Sequence, residues 1–135
     1  MASDHDMYAI GIDAAVRANN PEQLRTYLDM AGASEAMNKH ALYRAIAARG
    51  EGVSSKLAGD YDAASDQLEV ALQGFRELET NWQIGRTLLE LGEVEQAREH
   101  PEAAKTHLSE ALSVFETLGV VPDTDRARNA LDSLA

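Results

Sequence analysis

The chain has no cysteine, three prolines, few aromatics and few positive charges. The missing cysteine excludes disulfides, thiolate metal sites and thiol catalysis together. Aromatics make up 5% of the residues against 44% hydrophobic residues, with alanine abundant. Close helix–helix packing suits that mixture, whereas a β-sandwich needs β-branched and aromatic side chains. The prolines stand at positions 21, 101 and 122, each where a helix should begin. Positive charge is short: 12 Lys and Arg face 23 Asp and Glu, for a formal net charge of −11. Nonspecific nucleic-acid binding requires the opposite sign, and anionic membrane surfaces repel such a chain. No stretch approaches the length of a membrane span, and the first residues, Met1 to Asp6, offer neither the basic start nor the apolar core of an export signal. The expectation is a cytoplasmic protein that meets neither nucleic acid nor membrane.

What is present is a pattern that recurs after forty residues. Ala63, Ala64, Leu68, Ala71, Leu72, Phe75 and Leu78 return as Ala103, Ala104, Leu108, Ala111, Leu112, Phe115 and Leu118. Gly52 returns as Gly92, Arg86 as Arg126 and Leu91 as Leu131. A fixed period of this kind marks stacked units that bury their neighbours' faces. The 135 residues suffice for one all-α domain.

Helix boundaries follow from capping residues. Ser3 with Asp6 resembles a capping box, and Met7, Ile10, Ala14 and Ala18 then recur at helical spacing as the expected packing face. Asn20-Pro21 restarts the chain into a helix carrying Leu24, Tyr27, Leu28 and Ala31, which Gly32 ends. Ser34 caps a third helix running to about Ala58, with Met37, Ala41, Leu42, Ala45, Ile46 and Ala48 on its packing face. Gly52 marks a close helix contact there, and Gly50 leaves either a kink or a second close contact open. Asp60 caps the fourth helix, Tyr61 to Leu78. Thr80 with Gln83 boxes the fifth, whose stripe is Ile84, Leu88, Leu91 and Val94. His100-Pro101 opens the sixth, which Gly119 stops, and Pro122-Asp123 opens a short seventh. Links this short make consecutive antiparallel hairpins.

The phrase from Leu57 to Ala64 (Leu-Ala-Gly-Asp-Tyr-Asp-Ala-Ala), followed by Leu68, Ala71 and Leu72, resembles the turn and second helix of the tetratricopeptide repeat. Leu91-Gly92 falls where that family's first helix carries a Leu-Gly pair. The forty-residue period is similar to the longer variant found in signalling ATPases, regulators and polarity adaptors. The resemblance covers residues 42 to 118. It implies a right-handed stack of antiparallel helix hairpins within a single domain: a degenerate first hairpin over 4–31, repeats over 34–79 and 80–119, and a capping helix over 122–135. Two features depart from the family: His100-Pro101 replaces the Gly-Asp-Tyr turn, and Glu95 stands where an aromatic is usual.

The resemblance also implies that the first helix of each hairpin lines a concave, partner-binding groove. Carried onto this chain, the lining is Asp13, Arg17, Ile46, Arg49, Val53, Lys56, Arg86, Leu89, Glu90, Glu93 and Arg126. Arg49, Lys56, Arg86 and Arg126 would make a basic track suited to carboxylates, with Ile46, Val53 and Leu89 as apolar anchors. The competing view is that these arginines only pair with neighbouring glutamates. The asparagine-rich carboxylate clamp of chaperone-binding members is absent from the sequence.

Little points to catalysis. His5, His40, His100 and His107 lack the spacing of a metal site, and His100 reads as a helix-capping residue. Glu90, Glu93, Glu95 and Glu99 on one helix, and Asp62 and Asp66 on another, read as solvated acids. No phosphate loop, nucleophile elbow or His-Glu-x-x-His motif occurs in the sequence. The expected role is a non-catalytic protein–protein interaction module without a cofactor, binding a partner peptide or helix. The alternatives are a homodimeric scaffold joined through Met37, Leu42 and Tyr43, and, with less support, a small-molecule-sensing domain.

Overall fold

A computed structural model describes residues 4–134, with side chains from Asp6 onward. Ser3, and with it the first capping box, lies outside the described residues. Eight α-helices and no strand occur among those residues: α1 (Asp4–Ala18), α2 (Pro21–Gly32), α3 (Glu35–Lys39), α4 (Ala41–Leu57), α5 (Tyr61–Glu77), α6 (Asn81–Ala97), α7 (Pro101–Leu118) and α8 (Val121–Asp132). They form two compact units, Met1–Gly74 and Phe75–Ala135.

The extra helix corrects the sequence reading. The expected third helix is broken at His40, which is extended (φ −98°, ψ 123°) and separates five-residue α3 from α4. Ser34 does cap, accepting from the Met37 amide at 3.3 Å, but the helix it starts is short. The backbone shows why. Asn19, Gly59, Glu79, Glu99 and Gly119 all have positive φ, at 50°, 82°, 54°, 63° and 73°, and each ends a helix. These turns lie on a twenty-residue grid, and the missing point, Lys39, stays helical as the last residue of α3, the chain becoming extended at His40, the next residue. α2 and α3 together therefore fill the slot of one second helix.

Each hairpin closes on glycine. In the first unit an ideal Cβ on Gly52 would lie 2.6 Å from Leu68 Cγ, and one on Gly74 would lie 3.1 Å from Ala45 Cβ. In the second unit a Cβ on Gly92 would lie 2.5 Å from Leu108 Cγ, and one on Gly85 would lie 2.7 Å from Phe115 Cε1. Both sets of partners ascend on one helix as they descend on the other, so α4–α5 and α6–α7 are antiparallel hairpins of the same design. Gly50 resolves as a close approach: α4 runs unbroken through it, and a Cβ there would meet Ile12 and Leu28 at 2.8 and 2.9 Å.

Burial repeats with the sequence. Ala64, Leu68, Ala71 and Phe75 are fully buried, as are Ala104, Leu108, Ala111 and Phe115, while Leu78 and Leu118 stay partly exposed. The α6 stripe of Ile84, Leu88, Leu91 and Val94 is buried as expected. Asn20 and Asp60 cap α2 and α5, accepting from the Gln23 and Ala63 amides.

Two other caps fail. The Thr80 hydroxyl turns back to donate to the Phe75 carbonyl, and His100 makes no side-chain cap. The α1 packing face is also reversed. Ala9, Ile12, Ala15 and Val16 are buried, whereas Met7, Ile10, Ala14 and Ala18 face solvent. Both stripes are apolar, and spacing alone could not rank them. Among the described residues no helix is long and apolar enough to cross a membrane.

Candidate functional site

In the first unit, polar rungs join the first helices of successive hairpins. The Tyr43 hydroxyl on α4 donates to the Asp6 carboxylate on α1, and that bond holds the phenol's pKa above its ordinary value. Further along both helices, Arg49 Nη2 donates to Asp13 Oδ1 at 3.2 Å. The rungs ascend together, so α1 and α4 run parallel, as first helices of consecutive hairpins must. Arg49 is 1% exposed, and a guanidinium so placed persists only because carboxylate and hydrogen bonds replace its water. Asp13 keeps contact with solvent, and Arg17 approaches it from outside, Nε to Oδ2 at 3.4 Å, with its side chain 54% exposed. Two guanidinium groups thus reach one carboxylate. Lys56 is half-buried on the same helix as Arg49, about two turns on. Ile46 and Val53 are buried core residues and do not form an open apolar surface.

In the second unit the polarity is inverted. Arg126 Nη2 on α8 reaches Glu90 Oε1 at 3.3 Å and Glu93 Oε1 at 2.6 Å on α6. The buried member here is Glu90, while Arg126 remains half-exposed. Burial of the guanidinium works to lower its pKa, but the two carboxylates outweigh this and the pKa is raised. Trp82 Nε1 donates to Asp123 Oδ2 at 3.0 Å, a second rung in the same direction. Arg86 is buried with Cζ 5.0 Å from the Trp82 ring centroid, in reach of the π face. Leu89 is 2% exposed.

The structure therefore gathers the expected lining into two clusters: Asp13, Arg17 and Arg49 in one unit, and Glu90, Glu93 and Arg126 in the other. It does not give a run of solvent-facing arginines. Arg49 is inside, Arg86 lies against Trp82, and Arg126 is held by two glutamates.

Three features were missed from sequence. Arg25 makes a two-pronged bond to Glu51 at 2.8 and 3.1 Å, which raises the Arg25 pKa. Buried Glu95 accepts from Arg98 Nη1 at 2.8 Å and pairs with His100 Nδ1 at the same distance. The available signal was an acid in an expected aromatic position with Arg and His three and five residues on. In the second unit, an open cavity of about 500 Å³ is lined by Arg76, Glu79, Asn81 and Ile84. A smaller one of about 180 Å³, lined by Ser113, Val114, Thr117 and Leu118, shares Asn81 with it. Neither brings together an acid–base pair with a nucleophile. Among the described residues, no group of three or more His, Asp or Glu side chains could hold a metal ion. A scan against protein-family models finds no match for this chain, and a search of curated proteins finds none either.

Proposed function

We propose that this chain is a short tetratricopeptide-like stack, acting in the cytoplasm as a protein–protein interaction module that binds a partner peptide or helix, with no chemical step and no cofactor. The observation that carries this reading is the seam repeated at forty residues, with Gly52 against Leu68 and Gly92 against Leu108. Within the first unit, α1 and α4 run parallel as the first helices of consecutive hairpins, a surface suited to recognition. The contact belongs to the first unit, where Arg17 and Lys56 offer positive charge on an otherwise acidic protein, and a partner carboxylate is the matching group. The Glu90–Glu93–Arg126 cluster is an internal brace.

The test is chemical cross-linking and affinity capture from the native source, using the full chain and the Arg17→Glu, Lys56→Glu double variant. A captured protein that the double variant loses supports the reading. Undiminished capture by that variant would sink the first-unit contact, and capture of nothing by either form would sink the module itself.

A further inference from the structure

The two cavities of the second unit meet at Asn81, the first residue of α6, which lines both. The larger, about 500 Å³, sets buried Ile84 beside the polar groups of Arg76 and Glu79. It falls within the roughly 300–1,000 Å³ usual for ligand sites. The smaller, about 180 Å³, adds Val114 and Leu118 from the C-terminal half of α7, and Leu118 is 44% exposed. Its Thr117 hydroxyl is turned to the Ser113 carbonyl at 2.9 Å. One chamber therefore carries charge, and the other is mostly aliphatic.

The charges of the larger chamber do not cancel. Arg76 is held by Glu110 through a two-pronged bond, Nη1 to Oε2 at 2.9 Å and Nη2 to Oε1 at 3.0 Å. Glu79 forms no ion pair among the described residues, and the Asn81 side chain makes no hydrogen bond among them. Around these groups, residues 75–135 hold twelve Asp and Glu against six Lys and Arg. An arriving anion would have to displace Glu110 against that field, whereas a cation meets an uncompensated carboxylate.

We propose that the two chambers take a cationic segment of a partner protein. An Arg or Lys side chain lies on Glu79 and the Asn81 amide oxygen, and a neighbouring aliphatic side chain lies on Val114 and Leu118. The open mouth decides for a polypeptide over a small molecule. A free ligand gains affinity by burying about 70–90% of its surface, which an open chamber does not allow. A side chain presented by a partner brings its own cover. This contact lies in the second unit and is opposite in sign to the one at Arg17 and Lys56, so neither rests on the other.

The probes are decapeptides with one Arg and one Leu, at several spacings in an alanine–serine background, titrated into the full chain by NMR up to about 1 mM. At least one spacing should bind saturably and move the amides of residues 79–84 and 113–118. Replacing its Arg by Glu should weaken it about fivefold or more, and Glu79→Gln should weaken it about fivefold. Glu99→Gln is the matched control, at a turn of the same backbone conformation (φ 63°) that lines neither cavity, and should leave binding unchanged. The Arg17→Glu, Lys56→Glu double variant should bind as the wild type does, which separates this site from the first-unit contact. Absence of saturable binding at every spacing overturns the proposal. So does equal binding of the Glu-substituted peptide, an equal effect of Glu79→Gln and Glu99→Gln, loss of binding in the double variant, or shifts confined to other residues.

Discussion

The two units differ in which charge they hide. In the first the water-excluded partner is a cation, Arg49, and its carboxylate Asp13 stays in touch with solvent. In the second the excluded partner is an anion, Glu90, and its guanidinium, Arg126, is half-exposed. One seam contact is common to both units, leucine on glycine, with the Leu Cγ 2.6 Å from an ideal Cβ on Gly52 and 2.5 Å from one on Gly92. At the other end the glycine changes helix, Gly74 on α5 against Ala45 and Gly85 on α6 against Phe115. Packing therefore fixes the hairpin, while the polarity of the first-helix clusters varies on top of it. That separation is what allows one scaffold to present different surfaces.

The sharpest attack on the comparison is at the seam. Leu68→Ala and Leu108→Ala each delete a fully buried side chain and should cost about 2–5 kcal/mol. The two losses in urea or thermal unfolding should agree within about 1 kcal/mol; a wider gap would show that the seams are not equivalent. Next come the clusters, which predict a crossed pattern. Asp13→Asn takes the carboxylate from a guanidinium that water does not reach, and Arg126→Met takes the guanidinium from a buried carboxylate. Each should cost about 1–3 kcal/mol. Arg49→Met and Glu90→Gln instead leave a partner that solvent can serve, and each should cost under about 1 kcal/mol. Equal losses across all four variants would erase the contrast between the units.

Gly52→Ala and Gly92→Ala should both destabilise, by about 1–2 kcal/mol. Overpacking against leucine outweighs the roughly 1 kcal/mol that alanine gains as a helix former. The smallest effect concerns the turns. Glu79 and Glu99 hold positive φ where Gly59 and Gly119 stand at other grid points. Glu79→Gly and Glu99→Gly should each stabilise by about 0.5–1 kcal/mol, read as a rise in melting temperature.

Much of the architecture was readable because it rests on local chemistry. Asn20 and Asp60 cap where their side chains allow, and Gly119 ends α7 in the left-handed conformation that glycine tolerates. Thr80 and His100 look equally suitable as caps, yet a hydroxyl choosing the Phe75 carbonyl and an imidazole choosing Glu95 depend on neighbours that no local rule includes. The break at His40 was hidden for the same reason: Ser34 offered a valid cap nearby, and the grid of turns became visible only through backbone angles. Among the candidate site residues, Arg17, Lys56, Glu93 and Arg126 keep contact with solvent, whereas Ile46, Arg49, Val53, Leu89 and Glu90 are interior. A residue on a first helix can face the open side or the next hairpin, and one turn separates the two.

Of the Met37, Leu42 and Tyr43 surface considered for self-association, Met37 is buried, Tyr43 is half-buried with its hydroxyl on Asp6, and Leu42 is exposed.

By itself the sequence determined that the chain is helical, where most helices begin and end, and that Gly52 marks a close helix contact. Period, proline placement and capping act within a few residues or repeat at a constant offset, so they need no folded context. Only the tertiary structure decided which of two apolar stripes on α1 turns inward, and which member of each ion pair loses its water. Those outcomes depend on what the neighbouring helix brings to the same volume.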